Sequence, residues 1–184
     1  MNRAAKEARK HPEKNAPPEL HIDFQDTPEK FQSMAGEILP PLIELLRRLC
    51  GLEEEMHSRS VRLRKSRPGG LYSTEAHPDM DALWQEYRDR YHALLDPNCT
   101  EKFLAARRDC CQSMGDPADF SGLNQEGTVT FTMKSPSKAI VIVPGGVLGM
   151  DTRFELRPDG GGWKIDKAAF RHSNDPKWRT EYYM

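Results

Sequence analysis

From Thr27 onward, apolar residues recur at the three- and four-residue spacing of an amphipathic helix. The positions on this apolar face are Phe31, Met34, Ala35, Ile38, Leu39, Leu42, Ile43, Leu46, Leu49 and Cys50. Thr27 can cap the helix and Pro28 suits its first position. The phase continues through Pro40–Pro41, which predicts a kink or a short break between two coaxial pieces. The second piece is expected to end at about Ser58.

Two shorter helices are predicted further along the chain. One begins near Pro78 and stops at Asp96–Pro97, and the other runs from about Thr100 to Met114. Gly115 suits the left-handed position that follows a helix terminus. Before these helices, the stretch from Arg59 to Arg67 holds five basic residues and leads into Pro-Gly-Gly. It is expected to be a connection with room for a short strand.

After residue 126, apolar residues recur at every second position, which is the spacing of a β-strand. In "TVTFTMK", apolar residues alternate with threonines, and Ala139–Val143 forms a second apolar run. The next run places Met150, Thr152, Phe154 and Leu156 inward and Asp151, Arg153, Glu155 and Arg157 outward. The turn "PDGGG" then leads into Trp163 and Ile165. These runs predict a four-stranded antiparallel meander.

The order of elements predicts an α+β fold, with N-terminal amphipathic helices packed on a C-terminal antiparallel sheet. A chain of 184 residues suits one domain with a single core. Residues 1–22 carry charges and prolines with little to enter a core, so they are expected to be a flexible arm. Residues 23–184 are expected to form the single domain.

Composition excludes several classes of partner. The net charge is −1, so no overall field attracts nucleic acid or anionic lipid. The first residues lack the apolar stretch of a signal peptide, and no window is apolar enough to cross a membrane. The sequence is therefore expected to belong to a cytoplasmic protein that binds neither nucleic acid nor membrane.

Candidate chemistry is sparse. The four cysteines (Cys50, Cys99, Cys110 and Cys111) lack C-x-x-C spacing, and the six histidines form no H-x-x-x-H pair. "PGGVLG" and "PDGGG" do not open a helix as phosphate-binding loops do. No metal and no cofactor are therefore predicted. Asp89 and His92 share a predicted helix and suit either general acid–base catalysis or a solvated helix face.

The last third of the chain resembles the NTF2-like superfamily, whose helices pack on a curved sheet to form a cone. The resemblance is carried by Arg153–Leu156, the glycine turn, Gly162–Asp166 and the aromatic tail Trp178–Tyr183. Within that superfamily the chain is most similar to NTF2-fold immunity proteins of bacterial polymorphic toxin systems. The resemblance implies a cytoplasmic protein that binds and neutralises a cognate toxin effector domain, with a homodimer left open. It also implies that Trp163 fills the cone.

Two other functional classes stay open: a small isomerase or hydrolase that uses the cone, and a non-catalytic scaffold subunit. The inward strand positions are nearly all apolar, which favours docking over catalysis. The expected docking surface combines Glu53, Glu54 and Glu55 with the outward residues Asp151, Arg153, Glu155 and Arg157. Such carboxylates would complement a basic toxin cleft. The competing contact is the basic segment from Arg59 to Arg67, facing an acidic partner.

Overall fold

The computed structural model describes residues 18–67, 69–72, 74–107, 113–145 and 149–180. The elements are β1 (Leu20–Asp23), α1 (Glu29–Gln32), α2 (Ala35–Ser66), α3 (Met80–Leu95), α4 (Glu101–Arg107), β2 (Gly127–Ser135), β3 (Lys138–Val143), β4 (Met150–Asp159) and β5 (Gly162–His172). The predicted α+β class is confirmed, with long helices followed by a curved, mostly antiparallel sheet. This arrangement is consistent with an NTF2-like cone.

Helix α2 is longer than predicted. It continues through Pro40–Pro41 and extends to Ser66, so the expected end at Ser58 and the expected connection with a strand are both wrong. The inward face continues at Met56 and Ser60, both buried, and arginine and lysine are good helix formers. The basic residues therefore lie on the last turns of α2. The interruption in the helical pattern falls earlier, between Gln32 and Ala35.

The sheet has a fifth strand, β1, most of which the sequence predicts to be part of the flexible arm. Leu20–Asp23 pairs in parallel with residues 127–130 of β2, so the predicted arm boundary at residue 22 is wrong; residues 1–17 lie outside the described residues. Thr27 does not cap a helix. Its buried hydroxyl donates a hydrogen bond to the carbonyl of Phe131 (2.9 Å) and accepts one from the N–H of Met133 (3.0 Å). Thr27 thereby fastens the chain to β2 just after β1.

The strand order is β1-β2-β3-β4-β5, and the predicted alternation along β2 and β4 is confirmed. The predicted strand at Ala139–Val143 is β3, which also alternates. Helices α2 and α3 share one hydrophobic core with the inner face of the sheet. A bulge in β5 inserts Asp166, because Leu156 pairs with Ile165 whereas Glu155 pairs with Lys167. After the bulge, the inward positions of β5 are shifted by one residue, which simple alternation does not predict.

The third predicted helix does not reach Met114. Helix α4 is described over Glu101–Arg107, and residues 108–112, which include Cys110 and Cys111, lie outside the described residues. Met114 and Gly115 are not helical, and Gly115 has no positive φ, so its predicted role as a helix terminator is wrong. Its N–H instead donates a hydrogen bond to the Glu53 side chain (2.7 Å). Gly115 therefore belongs to a loop that is held from α2.

Candidate docking surfaces

Glu53 is not on an exposed acidic patch. It lies on the inner face of α2 and is 4% exposed. Its carboxylate accepts hydrogen bonds from the N–H groups of Gly115 (2.7 Å) and Asp119 (2.8 Å) and from the Ser113 hydroxyl (3.2 Å). Burial raises the pKa of Glu53 above its ordinary value, against the opposing effect of these hydrogen bonds. Glu53 is therefore not available at the surface of the free chain, because its side chain is buried and holds the 113–119 loop.

Glu55 is exposed but paired. The guanidinium of Arg90 donates two hydrogen bonds to its carboxylate (2.8 and 2.9 Å), and Arg59 adds an ion pair at 3.5 Å. Arg59 also forms a bidentate pair with Glu86 on α3, with both distances at 2.6 Å. The four charges balance, so this helix-face network (Glu55, Arg59, Glu86 and Arg90) presents no acidic field. Of the three predicted glutamates, only Glu54 remains exposed outside these networks.

The network should be visible in the titration of Glu55. Hydrogen bonding by Arg90 lowers the pKa of the Glu55 carboxyl, so Arg90→Gln is expected to raise that pKa toward its ordinary value. Because the pKa of Glu55 is lower in the folded chain than the unfolded-state value of 4.5, its ionised carboxylate contributes stability at pH values above 4.5. This stability is lost as the pH falls through the folded-state pKa. NMR titration of the Glu55 side chain checks the shift. An unchanged pKa would contradict the pairing, and Arg88→Gln on the same helix is the control.

The basic segment from Arg59 to Arg67 is helical as far as Ser66, and several of its residues are engaged within the chain. Arg64 donates to the hydroxyl of Ser60 (3.0 Å), and Arg67 donates to the carbonyls of Gly70 (2.9 Å) and Glu75 (2.6 Å). Arg62 and Lys65 are exposed. This segment therefore offers fewer available cations than its sequence suggests.

The outward positions of β4 belong to a larger charged face. With neighbours from β3 and β5 they form the sheet-face surface, which comprises Lys138, Asp151, Arg153, Glu155, Arg157, Lys167 and Arg171. Glu155 at its centre pairs with Lys138 (3.1 Å), Lys167 (3.3 Å) and Arg157 (3.4 Å). Five of the seven residues are basic, so the surface has an excess of positive charge that the alternation of β4 alone does not show.

The C-terminal tail reaches this surface. Trp178 packs against two guanidinium groups, with Arg171 4.5 Å and Arg153 5.0 Å from the ring centroid. The tail is held by two backbone hydrogen bonds between Phe170 and Arg179, at 2.8 and 2.9 Å. Tyr182 and Tyr183 lie outside the described residues. Sequence reasoning identified neither arginine as a partner of this tryptophan, because the contacts depend on strand pairing.

The two halves of the predicted docking surface do not form one surface. The outward residues of β4 point away from α2 and α3, which pack on the inner face of the sheet. Glu54 and Glu55 lie on the helical layer. The sheet separates these groups, so one flat contact cannot include both. The sheet-face surface and the helix-face network are distinct candidate sites.

Among the described residues, Asp89 and His92 do not form the acid–base pair that the sequence suggests. Asp89 is exposed and accepts a hydrogen bond from Gln85 (2.8 Å), whereas His92 stacks edge-on against Tyr91. Cys50 is buried, and burial together with the neighbouring Glu54 carboxylate raises its thiol pKa to about 12. The Cys50 thiol is therefore protonated at neutral pH and is a poor nucleophile.

Comparisons with protein-family models, with curated proteins and with solved structures find no match. Among the described residues, no helix is both long and apolar enough to span a membrane.

Proposed function

We propose that this chain is a non-catalytic, NTF2-like immunity protein that binds and neutralises a cognate bacterial toxin domain through its sheet-face surface. The resemblance of its C-terminal third to NTF2-fold immunity proteins supplies the functional class. The observation that carries the docking mode is a rigid array of paired charges on the outer face of the sheet. A surface of this kind can bind a partner with little loss of side-chain freedom.

The composition of the surface also suits protein binding. Arg153, Arg171 and Trp178 are of the residue types that dominate interface energies, and they contact one another before any partner arrives. Between the charges lie Ile140 and Ile142 of β3, which are half-buried on the same face. Apolar residues beside a charged border are typical of the centre and rim of protein interfaces.

The charge of this surface indicates an acidic partner. Its basic residues outnumber the acidic ones, whereas in the expected acidic patch Glu53 is buried, Glu55 is paired with Arg90, and the exposed Glu54 accepts a hydrogen bond from the Cys50 thiol. Complementary charge steers association and orients the complex. The toxin surface that this protein binds is therefore expected to carry carboxylates.

The decisive experiment is coexpression with the toxin encoded by the neighbouring gene, followed by measurement of cell growth and of the affinity of the purified complex. Arg153→Glu should weaken the complex by about tenfold or more and abolish protection. Arg62→Glu on α2 is the matched control and should protect as wild type does. Protection that survives Arg153→Glu but fails with Arg62→Glu would place docking on the basic helix instead.

A catalytic role is tested in the same assay. The double variant Asp89→Ala with His92→Ala should protect as well as wild type, because neither side chain lies within an enclosed site. Loss of protection with binding intact would contradict the proposal and indicate an enzyme.

A further inference from the structure

An open groove runs between the edge strand β1 and the first half of α2. Its volume is about 350 Å³. Leu20 and Ile22 of β1 line one side, and Gly36, Leu39, Pro40 and Ile43 of α2 line the other. Ile22 is 42% exposed, and in the described residues only Tyr72 is a more exposed large apolar side chain. The groove thus exposes apolar surface where the sheet ends beside the helix.

The backbone beside this groove has an unpaired edge. β1 is the last strand on its side of the sheet, and among residues 18–67, 69–72, 74–107, 113–145 and 149–180 only β2 pairs with it. The opposite edge is different, because β5 pairs at Ile165 with Cys99 and at Phe170 with Arg179. An open edge can accept another strand through main-chain hydrogen bonds. The inward side chains of an added strand would lie over the exposed flank of α2.

Gly36 keeps part of the groove open. A Cβ atom at this position would meet nothing within 4 Å, and the residue has no positive φ. Glycine inside a helix is unfavourable relative to alanine. Neither backbone conformation nor crowding requires glycine here, so its effect is to leave space in the groove. Gly51 on the same helix is also uncrowded but does not line this groove, which makes it a matched control.

Three exposed carboxylates lie on or beside the elements that form the groove: Glu44 lines it, Asp23 lies on β1 and Glu19 precedes β1. Arg47 also lines the groove. Arg47 is held by the carbonyls of Leu123 (3.1 Å) and Pro18 (3.4 Å). By alternation, Glu19 and Asp23 point to the other side of β1 from Leu20. A strand added to β1 would meet carboxylates on its outward side and at the end of the groove near Glu44.

We propose that this groove is a second binding site, which takes an extended segment of a partner protein in which apolar residues alternate with lysine or arginine. The segment extends the sheet at β1, places its apolar side chains over Pro40 and Ile43, and directs its cations toward Asp23 and Glu44. A second copy of this chain is a poorer occupant, because pairing β1 with itself would bring like charges together. The site is independent of the proposed function, since the sheet-face surface lies on β3, β4 and β5.

The test uses the full chain and a displayed library of short random peptides, selected on wild type. Peptides that alternate apolar and basic residues should be enriched. A synthetic copy of an enriched peptide, labelled with a fluorophore, should bind Gly36→Leu at least about tenfold more weakly than wild type in an anisotropy titration. Gly51→Leu should bind as wild type does. Glu44→Lys should bind more weakly and with less dependence on salt.

Three outcomes would overturn the proposal. The first is a selection that enriches no alternating apolar–basic peptide. The second is an enriched peptide that binds Gly36→Leu and Gly51→Leu equally well. The third is self-association of wild type, measured by sedimentation, that Gly36→Leu abolishes, because this result would assign the groove to a second copy. Thermal melting of both glycine variants, expected at or above the wild-type temperature, confirms that lost binding reflects a filled groove.

Discussion

Replacing Glu53 with alanine is expected to lower the free energy of unfolding by about 2–5 kcal/mol, because two backbone donors lose their acceptor. The N–H groups of Gly115 and Asp119 both donate to this carboxylate. Glu54→Ala, one position further along the same helix, changes an exposed side chain and should shift stability by less than about 0.5 kcal/mol. Chemical denaturation of both variants measures the difference. Equal effects would show that Glu53 does not hold the 113–119 loop.

The loop itself provides a second readout. Amide hydrogen exchange at Gly115 and Asp119 should accelerate by about tenfold or more in Glu53→Ala, since local opening no longer breaks these bonds. Exchange in the interior strand β4 should change only as far as global stability does. Slow exchange at Gly115 in the variant would contradict the role of Glu53 as an anchor.

The raised pKa of Glu53 also predicts a pH dependence. The folded chain holds this proton more tightly than the unfolded chain, whose carboxyl titrates near 4.5. The resulting stability is present below that pH and is lost as pH rises through the raised folded-state value. Relative to Glu53→Gln, wild type should therefore lose stability as pH rises from 4.5. A difference that stays constant over this range would show that burial does not raise the pKa.

Phe154→Ala is expected to cost about 3–5 kcal/mol, and more than Trp163→Ala. Phe154 is fully buried at the centre of β4 and packs on Phe120, with ring centroids 6.0 Å apart. Trp163 is only half-buried and lies at the border of the core beside Pro41 and Leu42. Thermal or chemical unfolding of the two variants measures the order. A larger loss for Trp163→Ala would restore the sequence expectation that this tryptophan fills the cone.

The charged residues of β4 show which part of a candidate site can be predicted from the sequence. Alternation correctly placed Asp151, Arg153, Glu155 and Arg157 on the outward side of β4. It could not show that Lys138 and Lys167 would pair with Glu155, because those contacts join residues on three strands. Strand register brings such residues together, and the β5 bulge changes that register at Asp166.

For the three consecutive acidic residues Glu53 to Glu55, the local sequence was misleading. Local sequence suggests one patch, but successive helical residues point about 100° apart. Glu53 therefore faces the loop, Glu55 faces α3 and Glu54 faces away from both. Whether each carboxylate is buried, paired or exposed depends on the residues that it faces in the folded chain.

The sequence by itself determined the α+β class, the long apolar face of α2 and the inward sides of β2 and β4, because these follow from the period of apolar residues over many positions. Tertiary structure decided the length of α2, the pairing of Leu20–Asp23 as an edge strand, and whether each charged side chain is buried, paired or exposed. A short segment such as β1 has too few residues to show a period. Its structure depends on pairing with β2, more than a hundred residues away in the chain.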